Sequence, residues 1–193
     1  MNLDAFLSSK NLFTKEECII INDAFKDEII RKKDVIPETN KYSKRILFIE
    51  SGLLRTFYYD EGKDITHFFF DENKFIAPIN SILYHNKTER YQWEAIEECS
   101  VKVILYEDFL NLEEQFPKLS RLMFEFAMHM IDLLSQKLNL LQFQTAQDKY
   151  KTFLEMYPDL HYRVSLGSTA SFLGITQQTL SVIRAKKKLD HQG

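Results

Sequence analysis

The chain has 193 residues, of which 45% are hydrophobic, and a formal net charge of −3. This size and composition suit one large domain or a domain with a small appendage, and they exclude a disordered or low-complexity chain. No apolar run approaches the about 18 to 20 residues of a membrane helix, and the N-terminus lacks the pattern of a signal peptide. We therefore expect a cytoplasmic protein with no membrane partner. Cys18 and Cys99 have no metal-ligand spacing, so they are expected to be structural thiols.

Charge is unevenly distributed along the chain. From residue 158 to residue 193, five basic residues stand against two acidic ones, which gives +3, whereas residues 1–157 carry 20 basic and 26 acidic residues, or −6. A small basic unit is thus joined to an acidic body. This distribution is expected when only the C-terminal unit contacts phosphates.

Two hydrophobic patterns divide the first hundred residues. Thr14 and Glu17 have capping-box spacing, and apolar residues recur at helical intervals within residues 3–30, which predicts one or two short helices. From Ile46 onward, short aromatic and β-branched runs predict strands in RILFIESGLLRTFYY, DITHFFF, YQWEAIEE and SVKVILY. Strands at this spacing are typical of a β-sandwich or β-roll. Residues 73–90 interrupt the strands and predict a loop with a short helix.

The helical pattern returns after Tyr106. Pro117 stands where a helix can begin, and apolar residues then recur at steps of three and four over about 25 residues. This stripe is longer than a small β-roll can cover, so we expect part of it to pack against a second copy of the chain, with packing inside one chain as the alternative. The residues expected in the dimer interface are Leu119, Leu122, Met123, Phe126, Met130, Leu133 and Leu134.

The stretch VSLGSTASFLGITQQTLSVIRAKKK predicts two helices joined by a tight turn, after a helix that ends near Tyr157. Ser165 is the predicted N-cap of the first helix, Gly174 stands where the turn needs a positive φ, and Thr176 can cap the second helix. The spacing indicates a helix-turn-helix, with a structural hairpin as the alternative. Its expected core residues are Ala170, Leu173, Ile175, Leu180 and Ile183.

A helix-turn-helix inserts the N-terminal end of its second helix into the major groove of DNA. Glutamine can pair with adenine at two points, hydroxyl groups suit several bases, and cations neutralise phosphates. Double-stranded DNA is therefore the expected partner. The residues expected to contact it are Thr176, Gln177, Gln178, Thr179, Ser181, Arg184, Lys186 and Lys187.

The order of these elements resembles the Crp/Fnr family of bacterial transcription regulators. The resemblance covers residues 10–188 and is most specific in AQDKYKTFLEMYPDL and in LGITQQTLSVIR. It implies an α+β fold with a cyclic nucleotide-binding-like β-roll, or jelly roll, over residues 1–115, a dimerisation helix over 116–142 and a winged helix-turn-helix over 143–193. It further implies a homodimer that regulates transcription, with RNA polymerase and an unidentified small-molecule effector as partners.

The resemblance also bears on the ligand of the β-roll. Relatives that bind cyclic AMP carry a Gly-Glu pair and, further along, an Arg-Ser ahead of a strand like WEAIEE. In this chain those positions fall near Ala77 and Pro78 and on Glu89 and Arg90, which form the candidate effector site. A carboxylate in place of the arginine repels a cyclic phosphate, whereas a shift of the loop by one residue would put Arg90 in that role. We therefore expect another effector, or none, and no cofactor.

The C-terminal region departs from the family pattern in three places. Val182 follows Ser181 where many relatives have an arginine, so bidentate reading of guanine is lost there and altered or weaker specificity is expected. The stretch after Lys188 is too short for the strands of a complete wing. Thr169 stands in place of a larger aliphatic residue.

Two other functions compete with DNA binding. A cupin-like metal enzyme needs several histidines and a carboxylate, typically with His-x-His. The sequence has no His-x-His and no evident nucleophile triad, P-loop or dinucleotide motif. We therefore expect a protein that is not an enzyme, without catalytic or metal-ligating residues. The other alternative is a degenerate sensor that acts through protein contacts, for which Val182 is the best support.

Overall fold

The computed structural model describes residues 1–36, 44–78, 82 and 91–190, with side chains described as far as residue 186. The chain divides into two compact units. The first, here the N-terminal unit, contains Met1–Tyr58 and Phe68–Ala127; the second, the C-terminal unit, contains Tyr59–His67 and Met128–Gly193. The three-part division expected from the sequence, with boundaries at residues 115 and 142, stays a prediction.

Helices frame a block of strands along the chain. The described elements are α1 (Leu3–Ser9), α2 (Lys15–Ala24), β1 (Lys26–Ile30), β2 (Val35–Ile36), β3 (Arg45–Ser51), β4 (Leu54–Asp60), β5 (Lys63–Phe70), β6 (Phe75–Ile76), β7 (Gln92–Ala95), β8 (Cys99–Leu105), α3 (Tyr106–Gln115), α4 (Lys118–Phe143), α5 (Ala146–Met156), α6 (Leu160–Arg163), α7 (Leu166–Leu173) and α8 (Gln177–Asp190). A loop is expected over residues 73–90, but Phe75 and Ile76 within it form the short strand β6. Most of the residues after Pro78 in this range lie outside the described part of the chain. None of the helices described is long and apolar enough to cross a membrane.

The strands within the described residues form two four-stranded sheets, in the orders β1-β8-β3-β6 and β2-β7-β4-β5. Successive side chains of a strand point to opposite faces. Leu47 and Ile49 of β3 therefore share one core with Leu54 and Trp93 of the other sheet. This core confirms the α+β class and the β-roll expected from the sequence.

The other face of β3 packs against helices. Phe48 lies between Phe6 of α1 and Phe75 of β6, with ring centroids 5.0 and 4.8 Å away. Residues of α2, α3 and the first turns of α4 complete this second core. The roll is thus covered on one side by the helices that precede and follow it in the chain.

The capping box expected near the N-terminus is present, but the helical pattern ends earlier than the sequence indicates. The backbone N–H of Thr14 donates to Glu17 Oε2 at 2.7 Å, and that of Glu17 donates to Thr14 Oγ1 at 3.2 Å. Phe25, however, already has extended φ and ψ, and Ile29 lies in β1, which pairs with β8 over five residues. Pairing in the sheet outweighs the local helical periodicity there.

Lys137 of α4 is buried beside the tip of the β4–β5 hairpin, inside the C-terminal unit. Its Nζ donates hydrogen bonds to the carbonyl oxygens of Thr66 and His67 and lies 4.3 Å from the centre of the Phe172 ring. Burial disfavours the charged ammonium and lowers the pKa of Lys137 to about 7. Burial, reinforced by the Lys137 charge, also lowers the pKa of His67 to about 4.

The depressed pKa of Lys137 predicts that stability rises with pH above pH 7. The unfolded chain keeps this side chain protonated up to its ordinary pKa of 10.5, whereas the folded chain has released the proton, so the free energy of unfolding increases across that window. Lys137→Gln keeps N–H donors and removes the titration. Its urea midpoint should therefore gain less between pH 7 and pH 9 than that of the wild type. An equal gain in both proteins would contradict the assignment.

Candidate nucleic-acid interface

Two hydroxyl side chains cap the helices of the expected helix-turn-helix. Ser165 Oγ accepts the backbone N–H of Ser168 at 3.0 Å at the start of α7. Thr176 Oγ1 accepts the backbone N–H of Thr179 at 3.0 Å at the start of α8. Each cap satisfies a donor that the first turn of a helix leaves unpaired. Both caps confirm the sequence prediction.

The turn between α7 and α8 depends on Gly174, whose φ is 62°. The N–H groups of Gly174 and Ile175 donate to the carbonyl oxygens of Ser171 and Ala170, at 3.1 and 3.0 Å. This pairing is a Schellman motif, which ends a helix with a left-handed residue. The predicted positive φ is thus confirmed, and it sets the direction in which α8 leaves α7.

Phe172 occupies the centre of the C-terminal core. Its ring centroid is 5.6 Å from that of Phe153 and 5.7 Å from that of Tyr157. Thr169, which stands where relatives have a larger aliphatic residue, is fully buried. Its hydroxyl group is satisfied because it donates a hydrogen bond to the Ser165 carbonyl oxygen at 3.0 Å. Of the five residues expected in this core, three are buried (Ala170, Leu173, Leu180) and two are half-buried (Ile175, Ile183).

Sequence reasoning missed how α7 is held to the β4–β5 hairpin. Ser171 Oγ accepts the backbone N–H of Thr66 and donates to the carbonyl oxygen of Asp64, each at 2.9 Å. No local pattern signals these bonds, because the partners are 105 and 107 positions apart in the chain. All three residues belong to the C-terminal unit.

An open groove of about 530 Å³ lies between the start of α5 and the outer face of α8. Thr145, the N-cap of α5, stands at one wall. Of the residues expected to bind DNA, Gln178, Thr179 and Lys186 line this groove. Val182 lines it as well, with 52% of its side chain exposed.

The other predicted DNA-binding residues are described to different extents. Thr176 and Ser181 are exposed. Gln177 is exposed too but lies along α7, since a Cβ added to Gly167 would stand 3.0 Å from its Nε2. The side chain of Lys187 falls outside the described residues.

Arg184 packs against α5. Its guanidinium carbon lies 5.5 Å from the centre of the Tyr150 ring. Its Nε and Nη2 are buried and have no hydrogen-bond partner among the described residues. This side chain therefore joins α8 to α5, a contact that sequence reasoning did not foresee.

Four of the residues expected in a dimer interface pack against the core of the N-terminal unit. Leu119 and Leu122 are at most 2% exposed, and Met123 and Phe126 pack against the same core. The ring of Phe126 lies 5.0 Å from that of Phe75. Leu119 and Leu122 are fully covered, whereas Met123 and Phe126 are half-buried and keep part of their surface. The interface role of these four residues stays a prediction.

The other three expected interface residues differ in exposure: Met130 is half-buried, Leu133 is 7% exposed and Leu134 is 42% exposed. Leu134 belongs to a second apolar stripe of α4 that the sequence did not separate from the first. Exposure along this stripe runs from 42% to 65% in Phe124, Met128, Ile131, Leu134, Leu138 and Leu141.

The candidate effector residues are only partly described. Ala77 packs against the core beneath the helices. Pro78 is buried, and its carbonyl oxygen accepts the N–H of Ile82 at 3.1 Å. Glu89 and Arg90 lie outside the described residues. No cluster of three or more His, Cys, Asp or Glu side chains in the described part of the chain could hold a metal ion.

The fold is similar to that of solved transcription regulators. FixK2 from Bradyrhizobium japonicum is 16% identical over 86% of each chain, with a TM-score of 0.72. A CooA mutant from Carboxydothermus hydrogenoformans is 20% identical over 97% of this chain and 84% of that one, with a TM-score of 0.71. A protein from Eubacterium rectale assigned to the Crp/Fnr family is 15% identical over 96% and 88%, with a TM-score of 0.68.

These structures confirm the expected resemblance at the level of fold: the chain has the β-roll and helix-turn-helix architecture of Crp/Fnr regulators. No family model and no curated protein matches the sequence.

The geometry of the turn predicts that two glycine substitutions differ in their effect on stability. Gly174→Ala forces a side chain into the left-handed region and places a Cβ 3.3 Å from Leu141 Cδ2, so it should cost about 1 to 2 kcal/mol. Gly167→Ala is the matched control, because α7 is helical there and the nearest atoms belong to the flexible end of Gln177. Thermal unfolding should show a lower midpoint for the first variant only. A midpoint unchanged by Gly174→Ala would contradict the role of the turn.

Proposed function

We propose that this protein is a Crp/Fnr-type transcription regulator that binds double-stranded DNA as a homodimer. The observation that carries the proposal is the exposed first half of α8, where short polar side chains line an open groove. The β-roll acts as the sensor, for an effector other than cyclic AMP or for none. Such a protein works in the cytoplasm and acts on transcription through RNA polymerase.

The dimensions of α8 suit the major groove. Its 14 residues span about 21 Å, and a helix with its side chains is about 10 to 12 Å wide. The major groove of B-DNA is about 12 Å wide and admits one helix. Gln178 and Thr179 stand in the first turn, the part of a recognition helix that meets base edges.

One end of the groove suits phosphates, because Lys186 is exposed there and provides a cation. The opposite wall, where α5 begins at Thr145, already holds the Asp148 carboxylate, which accepts a hydrogen bond from the Thr145 hydroxyl. The formal charge of +3 over residues 158–193 acts in the same direction as Lys186.

The exposed apolar stripe of α4 suits a second copy of the chain. Phe124 and Leu141 mark its ends, about 26 Å apart along the helix axis. The six residues recur at steps of three and four, the spacing by which two helices pack along a seam. A second α4 can cover this stripe symmetrically, as in a two-fold dimer.

A regulator that acts through protein contacts is the second candidate function. Val182 favours it, because an exposed valine suits an apolar protein surface as well as a base edge. The packing of Arg184 against Tyr150 also leaves one cation fewer for phosphates. The response of DNA binding to salt separates the two functions, since contacts with DNA phosphates release counterions.

The first expected outcome is salt-dependent binding to random-sequence duplex DNA. Affinity should fall linearly on logarithmic axes as salt rises, and Lys186→Ala should weaken binding to every duplex and reduce the slope by about 1. Lys15→Ala removes an exposed lysine of α2 and is the matched control. Fluorescence anisotropy of a labelled duplex measures the affinity and its dependence on salt for the wild type and for each variant. A flat salt response in the wild type would favour the protein-contact function instead.

The second expected outcome concerns the dimer. Ile131→Glu places a charge in the middle of the exposed stripe and should convert the dimer to a monomer in sedimentation equilibrium, because an unpaired charge would be buried in the interface. His129→Glu adds the same charge at an exposed position outside the stripe and should leave the dimer intact. A dimer that survives Ile131→Glu would show that this stripe is not the interface.

A further inference from the structure

Val182 is an apolar side chain exposed in the middle of the groove. It is 52% exposed, whereas the nearby Leu180 is fully buried and holds α8 to its unit. It lies one helical turn after Gln178 and one turn before Lys186, and all three line the groove. Because half of its surface is exposed to solvent, Val182 contributes little to the core of its own chain.

The described side chains of residues 177–183 are all uncharged. Arg184, the next residue, packs against Tyr150. Guanine offers two acceptors on its major-groove edge and is most often selected by a bidentate arginine or lysine. The first two turns of α8 therefore lack the side chain that selects guanine.

The same surface matches A·T base pairs. The carboxamide of Gln178 can donate to N7 and accept from N6 of adenine, and thymine carries a methyl group in the major groove that an apolar side chain can cover. One helical turn rises about 5.4 Å, and stacked base pairs are about 3.4 Å apart. Gln178 and Val182 thus reach base pairs that are one or two steps apart.

We propose that Val182 contacts the 5-methyl group of a thymine, one or two base pairs from an adenine bound by Gln178. The DNA half-site of this protein then contains A·T pairs at both positions. This inference rests on the proposed function, because it requires α8 to lie in a major groove.

The test begins with the full chain and a duplex recovered from a random library by repeated rounds of binding. Each thymine is then replaced singly by deoxyuridine, which keeps the base pairing and lacks the 5-methyl group. At one position in each half-site, replacement should weaken wild-type binding about fourfold, the effect of one methyl group removed from water. Val182→Ala should bind both duplexes nearly equally at that position. Val35→Ala, the same substitution at an exposed valine of β2, is the control that should keep the full response.

Two further variants check the assignment of each base. Val182→Arg should change the preference at the sensitive position from thymine to guanine, and Gln178→Ala should relax the preference for adenine nearby. Specific, salt-dependent binding that ignores every deoxyuridine would overturn the inference and leave the proposed function standing. Absence of salt-dependent DNA binding would overturn the proposed function and the inference together.

Discussion

The burial of Phe172 is the interaction on which the arrangement of the C-terminal unit depends. Its ring touches Phe153 and Tyr157 at the end of α5 and lies beneath the Lys137 ammonium of α4. Replacing a buried phenylalanine by alanine typically costs about 3 to 5 kcal/mol. Because three helices meet at this one ring, its packing fixes α7, and the turn at Gly174 then fixes the direction of α8. The orientation of the exposed surface of α8 therefore depends on Phe172 and Gly174, which are not part of that surface.

The long helix α4 carries two apolar stripes with different partners. One stripe begins at Leu119 and Leu122 and is enclosed by the N-terminal helices and the roll. The other, from Phe124 to Leu141, is between 42% and 65% exposed. A helix held in place by the first stripe needs no apolar residues in the second for its own folding. The second stripe is thus the stronger argument for association, and of the residues that the sequence placed in the interface, Leu134 belongs to it.

The parts of the structure that follow from local rules could be predicted from the sequence. The capping box at Thr14, the caps of the helix-turn-helix and the positive φ of Gly174 each depend on residues no more than a few positions apart. The strands of the roll followed from their aromatic and β-branched runs. These features set the fold class and the position of the candidate interface.

The remaining features depend on contacts between distant residues, which no local pattern encodes. Ile29 has helical spacing from its neighbours but joins β1 because β8 is there to pair with it. Arg184 has the position of a phosphate contact but packs on Tyr150 because α5 passes beside it. The two stripes of α4 have the same residue types and the same spacing, so the sequence could not tell which is covered.

The exposed valine at position 182 has a consequence for how this protein would respond to chemical modification of DNA. A methyl group on C5 of cytosine occupies the same place in the major groove as the methyl group of thymine. The proposed interface, in which Val182 covers this group, would accept 5-methylcytosine as a partial mimic of thymine. Through one side chain, the methylation state of a promoter would become a signal that this protein can read, independently of any ligand of its β-roll.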